Sequence, residues 1–361
     1  MIPVTKTYLP PLDIYTKQLD RIWKNGWVTN NGRLTQELAS SLIQYLGAPN
    51  IGLVANGTLA LQLAIKALGL EGEVITTPFS YVATTTALIW EHCTPVFVDI
   101  EGKTFCIDAD KIEQAITERT TAILATHVYG YPCEVEKIEK IAQKHSLKVI
   151  YDGAHAFGVK LNGKSILSHG DATTLSFHAT KLFHTTEGGA LVCRDKDLAE
   201  KISLMKKFGH IGEEKYLDVG INAKMSEVHA AMGLCVLPMV DEIIAYRHEI
   251  SDHYDLLLSE CGLIRPKASQ GLEYNYAYYP VIFSSNTQMM QIRHALINQE
   301  IMPRRYFYPS LNTLKYLEPK SKQSCPISES IAARVLCLPL YYGIEHQDII
   351  KICNVITEEL K

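Results

Sequence analysis

The sequence predicts an α/β protein built on a mostly parallel, doubly wound sheet. Between about residues 55 and 195, short runs rich in β-branched residues alternate with stretches of helical periodicity. Repeated strand–helix–strand order is the pattern that produces a parallel sheet covered by helices. The chain has 361 residues, which is long enough for two domains. A second, smaller unit is therefore expected after the first.

The strands of the first unit are predicted from their β-rich composition and from the turn residues that bound them. Amphipathic segments between the early strands predict helices, and Asp108 and Asp110 are expected to cap the first of these. The predicted strands are "EVITTP", "TPVFVDI", "TTAILATHVYG", "LKVIYDGAH", "ATTLSFHATK" and "GGALVCRD".

The second unit begins within a long helical stretch, "SEVHAAMGLCVLPMVDEIIAYRHEISDHYDLLLSECG". A strand-like run, "YNYAYYPVIF", a helix, "TQMMQIRHALINQ", and a last helix from Gln347 follow it. We expect a large domain over residues 1–240 and a smaller α/β domain over 241–361. No flexible linker separates them, so the two are expected to pack together.

Bulk composition is ordinary for a globular enzyme. The formal net charge is -4, without the basic excess expected of a nucleic-acid or anionic-membrane partner. Nine cysteines without CxxC pairs favour a reducing compartment. The N-terminus lacks a signal-peptide layout, and no uninterrupted apolar run spans a bilayer. A soluble, cytoplasmic protein is expected.

The first candidate site lies in "LVANGTLALQLAIKALGL", where Asn56, Gly57 and Thr58 directly precede a helix. Free N–H groups and the positive end of the helix dipole make such a position an anion site, and a phosphate would fit there. The alternative is a simple cap, in which Asn56 or Thr58 satisfies the first turn.

Three further candidates follow other strands, and the carboxyl ends of parallel strands meet at one edge of a sheet. Asp152 ends "KVIYD", Lys181 follows Ser176 after "ATTLSF", and Tyr81 follows "EVITTP". Singly, each has an ordinary interpretation: a turn cap, a solvated loop lysine and a core aromatic. Together they predict one site at that edge.

This combination suits pyridoxal phosphate, which requires a phosphate site, a carboxylate for its ring nitrogen, an aromatic neighbour and a lysine amine. Desolvation lowers the pKa of a lysine and frees its amine for Schiff-base chemistry. Other cofactors are disfavoured, because the sequence has no GxGxxG after a strand, no GxxxxGK[ST] and no zinc spacing among its histidines. No metal is predicted. His178 and His184 flank Lys181, and for them packing or substrate contact is expected.

Several segments resemble, in order, the nucleotide-sugar aminotransferases of the DegT type, which are fold-type I pyridoxal phosphate enzymes. The resemblance runs from near residue 20 to the C-terminus. It implies a large domain with a mostly parallel, seven-stranded type of sheet between helices. The segments are "VANGTLALQLA", "TPFSYVATTTALI", "VYGYPCEVEKI", "YDGAHAFGV", "SFHATKLFHTTEGGALV" and "GINAKMSEVHAAMGL".

The resemblance also implies roles for individual residues. Lys181 would bind the cofactor and move protons, Asp152 would face the pyridine nitrogen, and His155 would lie near the phenolic oxygen. Tyr81 would stack on the ring. The phosphate contacts would come from Gly57, Thr58 and Ser176.

The resemblance further implies a homodimer with a shared site. In this family an asparagine from the partner subunit reaches the phosphate, and Asn222 matches that asparagine. The alternative is that Asn222 is a turn residue before a helix capped by Ser226.

The expected reaction is transfer of an amino group, with glutamate as donor, to C4 of a dTDP-linked 6-deoxy keto-sugar for bacterial O-antigen synthesis. Amination at C3 is the alternative. His178, Arg304 and Arg305 would contact the substrate, although surface arginines are an equal interpretation. Relatives that dehydrate sugars carry His in place of the lysine, so Lys181 favours amination over a dehydratase. A non-catalytic regulatory protein on the same fold is the remaining alternative.

Overall fold

A computed structural model describes residues 1–318, 321 and 323–361. The helices are α1 (Leu12–Asn25), α2 (Arg33–Leu46), α3 (Gly57–Ala67), α4 (Val82–Trp90), α5 (Ala109–Ile112), α6 (Val135–His145), α7 (Lys196–Met205), α8 (Glu227–Val236), α9 (Val240–Leu257), α10 (Asn286–Asn298), α11 (Pro326–Arg334) and α12 (His346–Glu359). The strands are β1 (Ile2–Pro3), β2 (Ile51–Val54), β3 (Glu73–Thr76), β4 (Thr94–Phe97), β5 (Thr120–Thr126), β6 (Lys148–Asp152), β7 (Lys160–Leu161), β8 (Lys164–Ser165), β9 (Ala172–Ser176), β10 (Gly189–Cys193), β11 (His210–Ile211), β12 (Lys215–Tyr216), β13 (Leu272–Glu273), β14 (Tyr279–Ile282), β15 (Ile301–Met302) and β16 (Val335–Leu338).

A seven-stranded sheet in the order β2-β10-β9-β6-β5-β3-β4 forms the centre of the fold. Strand β10 runs antiparallel to both neighbours, and the other strands share one direction. The carboxyl ends of those other strands therefore meet at one edge, and the predicted fold class is confirmed. The prediction missed β2, because its four residues include Gly52 and give too short a β-rich run.

Helices cover both faces of this sheet. Adjacent strand residues such as Val74 and Ile75 are both buried but belong to different core clusters, because successive side chains point to opposite faces. Leu61 of α3 and Leu88 of α4 pack in the cluster of Val74. Leu38 of α2 packs in the cluster of Ile75. Because both faces of these strands are buried, apolar residues such as Val74 and Ile75 follow one another without the polar alternation of a half-exposed strand.

The prediction for the first amphipathic helix needs one correction. Asp108 caps α5 by accepting a hydrogen bond from the backbone N–H of Asp110 at 3.1 Å. Asp110 therefore lies inside the first turn and is not a cap. The α-helix ends at Ile112 and continues only as a 3-10 turn to Ala115.

The long helical stretch is interrupted where the domain boundary is predicted. A 3-10 turn containing Pro238 separates α8 from α9, because proline lacks the N–H that an α-helix needs. After this turn, Tyr254, Val281 and Ile352 belong to a separate core cluster, which also includes Ile2 from the N-terminus. The division at residue 240 stays a prediction.

The same stretch, Glu227–Leu257, is long and apolar enough to cross a membrane by length and composition alone. Helix α8, however, buries Ala230, Ala231 and Gly233 and packs against α1 and α2. Its apolar surface is therefore used inside the protein, as in the core helix of a soluble protein.

Candidate active site

A cavity of about 380 Å³ opens at the carboxyl edge of the sheet. It collects residues from the ends of β2, β3, β6 and β9, together with a few from the C-terminal unit. The structure thus brings together most of the residues predicted from sequence. Those lining the cavity are Gly57, Thr58, Tyr81, Asp152, His155, Ser176, His178, Lys181 and Arg304.

One end of the cavity is formed by the N-terminus of α3. Asn56 caps this helix, and its side-chain oxygen accepts the N–H of Leu59 at 2.8 Å. The N–H groups of Gly57 and Thr58 lie in the first turn, where no intrahelical carbonyl is available. Asn56 is therefore the cap, and the N–H groups of the next two residues are placed where an anion could accept them.

Gly57 is required by a close approach between α3 and β9. A Cβ atom at Gly57 would lie 2.9 Å from Cβ of Ser176, which is closer than side chains tolerate. The absence of a side chain brings the Ser176 hydroxyl next to the helix N-terminus. Hydroxyl and N–H groups together make a cradle for a phosphate-sized anion.

Lys181 lies on the loop between β9 and β10, and buried aromatic rings anchor this loop. Phe177 and Phe183 are fully buried and contact each other edge to face, with ring centroids 4.9 Å apart. The N–H of Phe177 donates to the carbonyl of Gly188 at 2.8 Å, and the N–H of Lys181 donates to the carbonyl of His178 at 2.8 Å. The loop therefore has a fixed shape, with the lysine directed into the cavity.

The Gly-Gly pair that follows this loop is needed for packing. A Cβ atom at Gly188 would lie 2.0 Å from Oγ1 of Thr185, and one at Gly189 would lie 2.6 Å from the backbone of Asn56. A larger residue at Gly188 would distort the lysine loop, and one at Gly189 would push β10 away from the start of α3.

The amine of Lys181 is partly buried and hydrogen-bonded. Its Nζ donates to the hydroxyl of Tyr278 at 3.4 Å. Burial lowers the pKa of Lys181, and the nearby charge of Asp152 opposes part of that effect. A solvated loop lysine would show neither feature, so this ordinary interpretation is not supported.

Asp152 ends β6 and is buried, with 5% of its surface exposed. Its Oδ2 accepts the hydroxyl of Thr84 at 2.7 Å, and its Oδ1 accepts the N–H of Ala154 at 3.0 Å. Thr84 also lies 2.8 Å from the hydroxyl of Ser80, which accepts a hydrogen bond from Thr126 at 3.0 Å. This chain of hydroxyls fixes a carboxylate that can face a protonated ring nitrogen.

His155 is buried and neutral. Its Nδ1 accepts the backbone N–H of Tyr129 at 3.3 Å, which places the ring proton on Nε2. Tyr129 has a positive φ of 56°, and this unusual backbone conformation directs its N–H at the imidazole. Burial lowers the pKa of His155 well below its ordinary value, and the charge of Lys181 adds to the effect. The histidine can thus donate a hydrogen bond to an oxygen in the cavity.

Two side chains line the outer part of the cavity. Tyr81 is 58% exposed at the start of α4, so it is not a core aromatic. His178 is also exposed, with Nδ1 2.8 Å from the hydroxyl of Thr180 and Nε2 3.6 Å from Glu187. His184, by contrast, is buried with Nε2 2.7 Å from the carbonyl of Tyr8, which is the expected packing role.

Two predicted residues lie outside the cavity. Asn222 is exposed, forms a backbone bridge with Lys207, and accepts a hydrogen bond from the amine of Lys224. Arg305 donates to the carbonyl of Ala333 at 3.2 Å and lies 3.4 Å over the ring of Tyr308. Arg305 thus holds the local backbone, and of the two arginines only Arg304 lines the cavity.

Sequence reasoning missed several residues of the site. Tyr278, Tyr306 and Phe307 line the cavity from the C-terminal unit, and Thr84 contacts Asp152 from α4. The tyrosine-rich run "YNYAYYPVIF" contained a signal, but its pattern was assigned to a strand, and the strand begins only at Tyr279.

This fold, with a lysine and a buried carboxylate at the carboxyl edge of its sheet, defines the class of fold-type I transferases. The chain belongs to the DegT/DnrJ/EryC1/StrS aminotransferase family, whose model matches residues 14–357. It is thus a nucleotide-sugar aminotransferase, and the family prediction is confirmed.

Individual relatives cover nearly the whole chain. It is 43% identical to the dTDP-4-amino-4,6-dideoxy-D-glucose transaminase of Shigella dysenteriae, over 98% of each chain. It is 33% identical to the GDP-perosamine synthase of Escherichia coli O157:H7, over 99% of this chain and 98% of that one. Among solved structures, DesI, described in the presence of its TDP-sugar product, superimposes with a TM-score of 0.95 at 32% identity, over 99% of this chain and 93% of that one.

Proposed function

We propose that this protein uses pyridoxal phosphate to transfer the amino group of glutamate to C4 of dTDP-4-keto-6-deoxy-D-glucose. The product would be dTDP-4-amino-4,6-dideoxy-D-glucose. The observation that carries the proposal is the shared cavity of Lys181, Asp152 and the N-terminus of α3. The substrate follows from the 43% identity to the Shigella transaminase over 98% of each chain.

The residues present fit pyridoxal phosphate. The N–H groups of Gly57 and Thr58 and the hydroxyl of Ser176 would hold the phosphate, and Asp152 would keep the ring nitrogen protonated. Nε2 of His155 would donate to the phenolic oxygen, and Tyr81 would cover the ring. When bound, the cofactor supplies an electron sink that stabilises negative charge on the carbon losing its proton.

Lys181 is the group that moves protons. Burial lowers the pKa of its amine and so favours the unprotonated form that a general base requires. In the first half-reaction Nζ takes the proton from Cα of the amino donor. In the second half-reaction the same amine delivers a proton to the sugar carbon that has received nitrogen. His178 and Arg304 at the cavity surface would contact the sugar nucleotide, with Arg304 on the diphosphate.

A homodimer with a shared site is part of this proposal. Large apolar side chains are exposed on and beside the β11–β12 hairpin, among them Tyr216 at 67% and Val219 at 71%. Trp23 of α1 is 71% exposed as well. Such residues are typical of a surface that another chain covers. Asn222 follows the hairpin outside its own cavity, and its exposed side chain would serve the cavity of a partner.

The cellular role follows from the product. A dTDP-linked amino sugar is a building block for lipopolysaccharide O-antigen, and the free cysteines Cys93, Cys106 and Cys133 suit a reducing cytoplasm. We place the enzyme there.

The experiment is an amination assay with product identification. Purified protein with pyridoxal phosphate, glutamate and dTDP-4-keto-6-deoxy-D-glucose should give a product whose mass shows gained nitrogen and whose NMR spectrum places the amine on C4. Lys181→Ala should yield no product. An amine on C3, or reaction only with a 3-keto or GDP-linked sugar, would contradict the proposed substrate. Transamination by Lys181→Ala would contradict the assigned lysine.

A further inference from the structure

We propose that Tyr278 is a positioning residue that holds the Lys181 amine in place when it is not bonded to the cofactor. This inference rests on the proposed function of Lys181 and adds a residue to it. Tyr278 lies outside the main sheet, just before β14. In the described part of the chain, its hydroxyl is nevertheless the group that accepts a hydrogen bond from Nζ of Lys181.

The contact joins the hydroxyl of Tyr278 to the amine nitrogen of Lys181 itself. Nζ and the Tyr278 hydroxyl are 3.4 Å apart, and both residues line the central cavity. Lys181 has to leave the cofactor in each half-reaction and act as an acid or base from a nearby position. A long, flexible amine without a partner would then occupy many rotamers, and a fixed hydroxyl reduces that freedom.

The Tyr278 ring is held on several sides by other rings. It contacts His155 edge to face with centroids 5.1 Å apart, Tyr129 at 5.6 Å and Tyr306 at 5.7 Å. These contacts restrict the ring to one orientation, which fixes the position of its hydroxyl. Two of the neighbours, His155 and Tyr306, line the same cavity.

Hydrogen bonds also fix the backbone before Tyr278. Arg247 of α9 is buried, and its guanidinium donates to the carbonyl of Ala277 at 3.0 Å. Asn275 donates from its side-chain amide to the carbonyls of His155 at 2.8 Å and Phe157 at 2.9 Å, and its side-chain oxygen accepts the N–H of Ala277 at 3.1 Å. The segment is therefore attached to the loop that carries His155.

A phenol can serve both protonation states of the amine. Burial raises the pKa of Tyr278, so the hydroxyl stays neutral and protonated throughout the working range. Its oxygen accepts a hydrogen bond from the ammonium form, and its O–H donates to the free amine. Tyr278 thus keeps Nζ in one place before and after each proton transfer.

The test compares Tyr278→Phe with a matched control, Tyr274→Phe. Tyr274 lies in the same segment, but its ring contacts Tyr131 and Tyr276, and its hydroxyl donates to the carbonyl of Tyr129 at 3.0 Å. In cofactor-free protein, the pH dependence of Lys181 acetylation by acetic anhydride is measured by mass spectrometry. Tyr278→Phe should lower the pKa of Lys181 by about half a unit or more, because the charge-assisted hydrogen bond of the ammonium form is stronger than that of the free amine and more stabilisation is lost. Tyr274→Phe should leave it unchanged.

Two further measurements make the result decisive. Tyr278→Phe should lower kcat of the half-reaction with glutamate about tenfold while KM changes little, since only the amine is displaced. Tyr278→His, which restores a hydrogen-bonding nitrogen near Nζ, should recover part of both effects. Equal values of the Lys181 pKa in wild type, Tyr278→Phe and Tyr274→Phe would overturn the proposal.

The proposed function and the role of Tyr278 are tested by different measurements, so either can fail without the other. The proposed function fails if borohydride reduction of wild-type protein incubated with pyridoxal phosphate leaves Lys181 unlabelled. The acetylation measurement uses cofactor-free protein, so it still decides whether Tyr278 holds the amine.

Discussion

At the scale of single residues, His127 links folding stability to pH. Its ring is fully buried and stacks on Tyr151 with centroids 4.6 Å apart. Nδ1 accepts the N–H of Cys133 at 3.1 Å, and Nε2 has no partner in the described part of the chain. Burial lowers the pKa of His127 to about 3, and the neighbouring His169 contributes in the same direction.

The sign of the effect follows from proton binding. Unfolded protein binds a proton at this position near pH 6.5, whereas the folded protein binds it only near pH 3. Stability from neutral His127 is complete above about pH 6.5 and is lost as pH falls toward 3. Between about pH 7.5 and pH 5, wild type should lose about 2 kcal/mol of unfolding free energy through this group.

His127→Asn, which keeps an acceptor for Cys133 but cannot titrate, isolates this contribution. Urea unfolding is measured at about pH 7.5 and pH 5. The unfolding free energy should fall by about 2 kcal/mol less in the variant than in wild type between these two pH values. An identical fall in unfolding free energy in both proteins would mean that folding does not lower the pKa of His127. Because His155 is also buried and neutral, part of the pH dependence should remain in the variant.

The residues that could be predicted from sequence are those next to recognisable strands. Asp152 and Lys181 follow β6 and β9, so the parallel sheet alone brings them to one edge. Thr84 and Tyr278 could not be predicted in the same way. Their roles depend on contacts with Asp152 and Lys181 that are 68 and 97 residues away in the chain.

At the scale of elements, the approach of α3 to β9 sets the size of the anion cradle. Gly57→Ala would place a Cβ atom 2.9 Å from Cβ of Ser176, so helix and strand must separate. Overpacking of this kind costs about 1–3 kcal/mol. We expect a lower melting temperature and about tenfold weaker binding of pyridoxal phosphate.

Gly52→Ala is the matched control, because a Cβ atom there would meet only Ile202, at an ordinary 3.9 Å. Cofactor titration followed by absorbance, together with thermal unfolding, compares the two variants. Equal cofactor affinity in Gly57→Ala and wild type would show that the cradle is wide enough to accept a methyl group.

Element boundaries were less predictable than element type. The predicted helix from Asp108 ends as an α-helix after four residues, and β2 was missed altogether. Both are short, so periodicity has too few residues to be informative. The long helical stretch was predicted, and Pro238 gave a local signal for its interruption.

At the scale of the whole molecule, the position of Asn222 predicts that subunits complement one another. Asn222 lies outside the cavity of its own chain, next to Lys207 and Lys224. If it serves the partner's site, each complete site needs Lys181 from one chain and Asn222 from the other. Lys181→Ala and Asn222→Ala should then each be nearly inactive alone, the second through loss of cofactor.

Co-expression of the two variants discriminates between the arrangements. In a mixed dimer, the chain with Asn222→Ala keeps its own Lys181 and receives Asn222 from the Lys181→Ala chain. One of the two sites of the dimer is therefore complete. Random pairing should therefore restore about a quarter of wild-type activity per chain. If Asn222 acted within its own chain, no combination would unite it with Lys181, and activity would stay at the level of the single variants. The exposed apolar residues Tyr216 and Val219 should become protected from solvent in the same dimer, because the hairpin that precedes Asn222 would be part of the interface.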